Sequence, residues 1–136
     1  MKSKILKEIV SLAKNHKKKI IVSYHNFSST PPFRILEKIL TSSKTLNSDV
    51  IKIAIFIRKT EDLLNLIILL RKFNNTTNQN QWLAVIPMGK LSKIFRIIFL
   101  FFNSYLIYSY IKKPISPGQN SLKEVIKIKS HIEKFI

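Results

Sequence analysis

Three short apolar runs most constrain what this chain can fold into. Ile20-Ile21-Val22-Ser23-Tyr24, the stretch from Asp49 to Ile57, and Trp82 to Pro87 are almost unbroken aliphatic sequence. A strand with one face in water alternates apolar and polar residues, whereas a strand covered on both faces does not. Around these runs the apolar residues recur at helical spacing instead. Ile5, Leu6, Ile9, Val10 and Ala13 form one such set, ending near Asn15-His16. Phe33, Ile35, Leu36, Ile39 and Leu40 form a second, and Leu63, Leu64, Leu66, Ile67, Leu69 and Leu70 a third.

The punctuation agrees with this alternation. Thr30-Pro31-Pro32 is a turn and helix-start signal, and Thr60-Glu61-Asp62 caps the next helix, because Thr can accept from exposed amides and acids favour the positive helix start. Asn74 to Gln81 reads as a polar loop and Met88-Gly89 as a turn. Leu91 to Phe102 follows as a helix and Tyr105 to Ile111 as a fourth strand. A Pro114–Asn120 loop then leads to an amphipathic helix from Ser121 to Phe135, with Leu122, Val125, Ile126, Ile128 and Ile132 on its apolar side. The sum is a helix followed by four strand–helix units. The fold class expected is α/β, a parallel sheet covered on its outer face by helices. No repeat or domain boundary interrupts residues 1–136.

Composition excludes several classes. With 46% hydrophobic residues the chain can bury a core, and without cysteine it has no disulfide framework, thiolate zinc site or cysteine nucleophile. The net charge of +17 invites a basic module that binds RNA or acidic lipid. However, only Arg34, Arg58, Arg71 and Arg96 among the 24 basic residues carry the guanidinium fork that phosphate recognition favours. Lys17-Lys18-Lys19 is the one compact basic run. A solvated lysine surface accounts for the rest. The uncharged stretch Ile97–Ile111 is shorter than the ~20 residues a membrane helix needs. No basic-then-apolar leader follows Met1, so the cytoplasm is the expected compartment.

Polar residues inside or just beyond the apolar runs are the candidates for chemistry, since α/β proteins place reactive groups at strand C-termini. They are His25, Lys52, Arg96 and Gln119. Lys52 interrupts an otherwise apolar strand, where a charged amine is costly. It is either an outward-facing lysine on a thinly covered strand or an amine activated by desolvation to condense with a carbonyl. His25, directly after the first run, is a hydrogen-bonded loop residue unless it has a partner. Lys52, 27 positions on, would be that partner if each strand–helix unit has barrel-like length, which puts both at the same end of neighbouring strands. On the residues alone, Arg96 reads as an exposed helix residue and Gln119 as a loop residue. His16 and His131 read as solvated.

Ser23-Tyr24-His25-Asn26-Phe27 followed by Thr30-Pro31 resembles the S-x-H-D/N-F…T-P signature of type I 3-dehydroquinate dehydratases. Asp49-Val50-Ile51-Lys52-Ile53-Ala54 is similar to that family's strand bearing a Schiff-base lysine. Met88-Gly89 through Arg96, Phe102-Asn103-Ser104 and Ser116-Pro117-Gly118-Gln119 resemble its M-G/S-x-x-G-x-x-S-R, F-G-S and A-P-G-Q segments. The motifs occur in family order along nearly the whole chain.

The resemblance implies a lyase of the shikimate pathway that dehydrates 3-dehydroquinate to 3-dehydroshikimate. Lys52 would form the imine, His25 would act as general base and then acid, Arg96 would clamp the substrate carboxylate, and Gln119 would bind substrate oxygens. No metal or organic cofactor is implied, and the partner is the small-molecule substrate, not nucleic acid or a membrane. The family fold is a (β/α)8 TIM barrel of about 250 residues. This chain corresponds to its C-terminal half, strands five to eight. Ser92 replaces a family glycine, Phe95 a serine, Asn103 the glycine of F-G-S, and Ile115 a substrate-binding serine, with Ser116 one residue later. In the family, the first half supplies an acidic residue that orients the histidine. A half barrel is therefore expected to self-associate or to pair with a complementing N-terminal half. The alternatives are an inactive remnant of the enzyme and the basic binding module.

Overall fold

The computed structural model describes residues 2–76 and 80–135. Helix α1 (Lys2–Asn15) precedes β1 (Ile21–Asn26), α2 (Phe33–Lys44), β2 (Val50–Phe56), α3 (Thr60–Thr76), β3 (Trp82–Met88) and α4 (Ser92–Phe101). Two short strands, β4 (Ser109–Tyr110) and β5 (Asn120–Ser121), lead into α5 (Leu122–Ile132). The three apolar runs are the parallel sheet β1-β2-β3.

Strand periodicity sorts the sheet into two faces. Ile51, Ile53, Ile55, Leu83 and Val85 point to the helix side, where they join Leu36, Leu40, Leu66, Leu69, Leu70, Phe73 and Phe99 in one buried core. At roughly 1.5–3 kcal/mol for each large aliphatic side chain removed from water, this layer is the main reason the sheet and helices stay together. The opposite face carries Ser23 and His25 from β1, Lys52, Ala54 and Phe56 from β2, and Ala84, Ile86 and Met88 from β3. That second face holds the polar groups.

Side chains set the local ends. Asp49 accepts from Lys19 Nζ at 2.9 Å and from the Ile20 amide at 2.8 Å, locking the starts of β1 and β2 together. The predicted cap of α3 is carried by Asp62, whose Oδ2 accepts from the amides of Arg58 and Lys59. Ser121 and Glu124 exchange hydrogen bonds as a capping box at the start of α5. Helix α3 runs three residues into the predicted Asn74–Gln81 loop, whose residues 77–79 lie outside the described ones.

The fourth strand is shorter than expected. Of Tyr105–Ile111 only Ser109 and Tyr110 form a strand, and they pair in parallel with β5 rather than joining the three-stranded sheet. The reason is visible on β3. Ser104 Oγ takes the Val85 amide at 2.9 Å, filling a ladder position that a neighbouring strand would otherwise use. The Ile97–Ile111 stretch is divided between α4 and this segment, and among the described residues no helix is long and apolar enough to cross a membrane.

Candidate active site

Lys52 stands in register with Ser23 on β1 and Ala84 on β3. Both neighbours are small, which leaves room for its stem on the open face. It is half-buried, and its Nζ lies 5.3 Å from the centroid of the Tyr108 ring, a cation–π distance. Its surroundings are thus part aromatic and part polar, not wholly aliphatic.

His25 lies two positions further along β1, in register with Ala54, and on the same face as Lys52. The two are therefore neighbours on adjacent strands, as expected. They are not level: His25 is near the end of its strand, whereas Lys52 is the third residue of seven, about 7 Å lower along the strand direction. The His25 ring is exposed and stacked on Phe27, with centroids 5.7 Å apart. Desolvation lowers its pKa, and the charge of Lys52 lowers it further. The loop that follows is held by its own side chains. Asn26 Oδ1 accepts from the amides of Ser28 and Ser29, and Thr30 Oγ1 donates to the Phe56 carbonyl at the end of β2.

Arg96 is not the exposed helix residue that its position alone suggested. It is 5% exposed, its Nε donates to the Pro87 carbonyl at 3.2 Å, and its Nη1 is buried with no hydrogen-bond partner. Burial lowers its pKa. Its side chain borders a cavity of about 690 Å³ shared with Phe27, Phe56, Met88, Lys93, Ser116 and Gly118. A guanidinium that borders a cavity and keeps an N–H without a partner is suited to a carboxylate. Phe27 and Phe56 connect the two halves of the site: Phe27 stacks on His25, and Phe56 shares the sheet face of Lys52. Lys52 and His25 do not themselves line the cavity.

Gln119 is also buried, at 9% exposure, but its Oε1 is occupied by the amides of Ile115 at 2.7 Å and Ser116 at 3.2 Å. It closes its own loop and lines a smaller adjoining hollow of about 270 Å³ beside Lys93 and Ser116. Ile115 is 92% exposed, whereas Ser116 reaches the Arg96 cavity. Gly118, at φ +73°, sits where an added Cβ would lie 1.7 Å from Ser92 Oγ. Asn103 adopts φ +62°, a left-handed conformation that asparagine tolerates better than most residues, which explains how it can stand in for a glycine. Tyr108 was not legible as a site residue, because it reaches Lys52 only through the irregular path of residues 105–108. Among the described residues no three His, Asp or Glu side chains cluster as metal ligands.

Parallel strands separated by helices, with His25 and Lys52 on the sheet face away from the helices, define a β/α-barrel type of protein. The chain belongs to the type I 3-dehydroquinase family, whose model matches residues 1–135. It is 34% identical over 125 residues to the 3-dehydroquinate dehydratase of Hydrogenobaculum sp. (strain Y04AAS1), covering 92% of this chain and 54% of that protein. It is 40% identical over 108 residues to that of Coxiella burnetii (strain Dugway 5J108-111), covering 79% and 45%. The type I 3-dehydroquinate dehydratase from Clostridium difficile, solved with covalently modified comenic acid, superimposes with a TM-score of 0.86 at 26% identity, covering 98% of this chain and 52% of that one. The chain spans about half the length of the relatives it matches.

Proposed function

We propose that residues 1–136 provide strands five to eight of a type I 3-dehydroquinate dehydratase, acting in the shikimate pathway in the cytoplasm and needing an N-terminal half-barrel for turnover. In this reading Lys52 Nζ attacks the substrate ketone, and the carbonyl oxygen leaves as water to give an imine. Neutral His25 takes the proton from the adjacent carbon; the C–H pair forms a C=C bond as the C=N π pair moves onto nitrogen, giving an enamine. The enamine then expels the hydroxyl on the next carbon, which takes the proton from His25 and departs as water. Hydrolysis of the imine returns Lys52 and the enone product. Arg96 holds the substrate carboxylate through its free guanidinium edge. Gln119 acts mainly by shaping the 114–119 loop, with its amide nitrogen available to substrate oxygens.

The observation that carries this reading is the placement of His25 and Lys52 on one sheet face of adjacent strands, with the imidazole biased toward its neutral, proton-accepting form. The test is borohydride reduction with 3-dehydroquinate, with the first half of the Coxiella burnetii relative supplied. Peptide mapping should find the reduced adduct at Lys52, absent in Lys52→Met. His25→Ala should still trap the imine while abolishing product. No adduct at Lys52 in the completed barrel would rule out the chemistry and leave an inactive remnant.

A further inference from the structure

Helix α3 joins β2 to β3 in the outer layer, and Leu66, Leu69, Leu70 and Phe73 bury its inner side in the core. Its outer side keeps Leu64 and Ile68 at 51% and 52% exposure, one helical turn apart. Glu61 and Arg71 are exposed on the same stripe, which runs Glu61, Leu64, Ile68, Arg71 at steps of three, four and three residues. Two exposed aliphatic residues alone mean little. Charge and order give this stripe its meaning.

Every other helix carries more basic than acidic residues. Among the described helices only α3 is balanced, with Glu61 and Asp62 at its start and Arg71 and Lys72 near its end. In a chain of +17 it is the helix on which two copies can meet without net repulsion. Asp62 is engaged in the cap and Lys72 with Glu37. Glu61 and Arg71 have no side-chain hydrogen bond or ion pair among the described residues.

The order of the four residues is symmetric about position 66. Glu61 and Arg71 stand five places to either side of it, and Leu64 and Ile68 two. Two identical helices crossing antiparallel on a two-fold axis bring together residues equally distant from that axis. Glu61 then meets the partner's Arg71 while Leu64 meets the partner's Ile68, and the reciprocal pairs form at the same time. A parallel pairing would instead set each charge against its like. We infer that the outer face of α3 is a homodimer interface, with Leu64 and Ile68 at its centre and a Glu61–Arg71 pair at each end. This goes beyond the proposed function and does not rest on it, because the face lies on the far side of the core from Lys52 and His25. One helix pair buries less than the ~1,600 Å² of a standard stable interface, so the dimer is weak, with a micromolar Kd.

Sedimentation velocity of the chain alone, over about 10–500 μM, tests it. The native chain should pass from monomer to dimer across this range. Glu61→Arg and Arg71→Glu should each weaken the dimer about tenfold or more, since each sets like charges against one another. Mixing these two variants should restore a dimer, because both mixed pairs then join an acid to a base. The double variant Glu61→Arg/Arg71→Glu should dimerise as the native chain does, and Leu64→Asp/Ile68→Asp should remain monomeric. A native chain that stays monomeric throughout overturns the inference. So does self-association that the single charge reversals leave unchanged, which would run through another face. A mixture of the two reversals that stays monomeric overturns the antiparallel pairing and the inference with it.

Discussion

The charge of Lys52 reaches His25 across one strand gap and adds to desolvation in lowering the imidazole pKa. Removing that charge with Lys52→Met should move the His25 titration upward, stopping short of the ordinary value because the larger, desolvation effect remains. The His25 ring C–H resonance followed by NMR against pH measures this directly. The direction also fixes a pH dependence. The unfolded chain binds a proton at His25 more readily than the folded one, so this group's contribution to stability falls as pH drops through the ordinary imidazole range. It levels off once the folded form is protonated as well.

Asp49 should act in the opposite pH range. Its carboxyl is held below its ordinary pKa by the hydrogen bond from Lys19, then by the Ile20 amide. The stability it provides is present above the ordinary carboxylate value and is lost as pH falls through the lowered one. Asp49→Ala should cost about 1 kcal/mol at neutral pH and flatten the acid limb of a urea-unfolding series.

Gly118 and Ser92 test steric coupling between the 114–119 loop and α4. Gly118→Ala should destabilise by about 2–3 kcal/mol, since the new methyl meets Ser92 Oγ and the backbone is left-handed there. Pairing it with Ser92→Gly should recover only the contact portion. Urea midpoints of the two single variants and the double variant separate the collision from the backbone strain.

Arg96 should show opposed effects on stability and function. Its guanidinium is buried with an unpartnered Nη1, so Arg96→Leu is expected to leave stability unchanged or raise it by about 1 kcal/mol. In the completed barrel the same variant should lose about a hundredfold or more in kcat/KM, because the carboxylate loses its charged partner. Thermal unfolding and steady-state rates on one preparation check both.

What was legible in the sequence follows from local rules. Unbroken apolar runs announced β1, β2 and β3, although only β2 and β3 are largely buried, and β1 alternates exposed and half-buried residues. Helical spacing announced α1, α2, α3 and α5, α4 was expected after the Met88-Gly89 turn, and one lysine within an apolar run singled out position 52. The site was less legible where it depends on through-space packing. Nothing near Arg96 in the chain shows that it is buried against Pro87, or that Gln119 spends its oxygen on its own loop. The fourth strand was shortened for the same reason: Ser104, 19 positions from Val85, accepts its amide at a ladder position that a strand neighbour would otherwise take.

Sequence by itself determined the strand–helix alternation and the identity of the polar residues placed among apolar ones, since both are written in periodicity along the chain. Only the tertiary structure decided which of those residues meet. Register puts His25 beside and above Lys52, and folding of the 105–108 segment brings Tyr108 over its amine. It also decided which apolar stripes stay uncovered. A helix records its apolar residues in sequence, but whether a stripe is buried depends on what packs next to it.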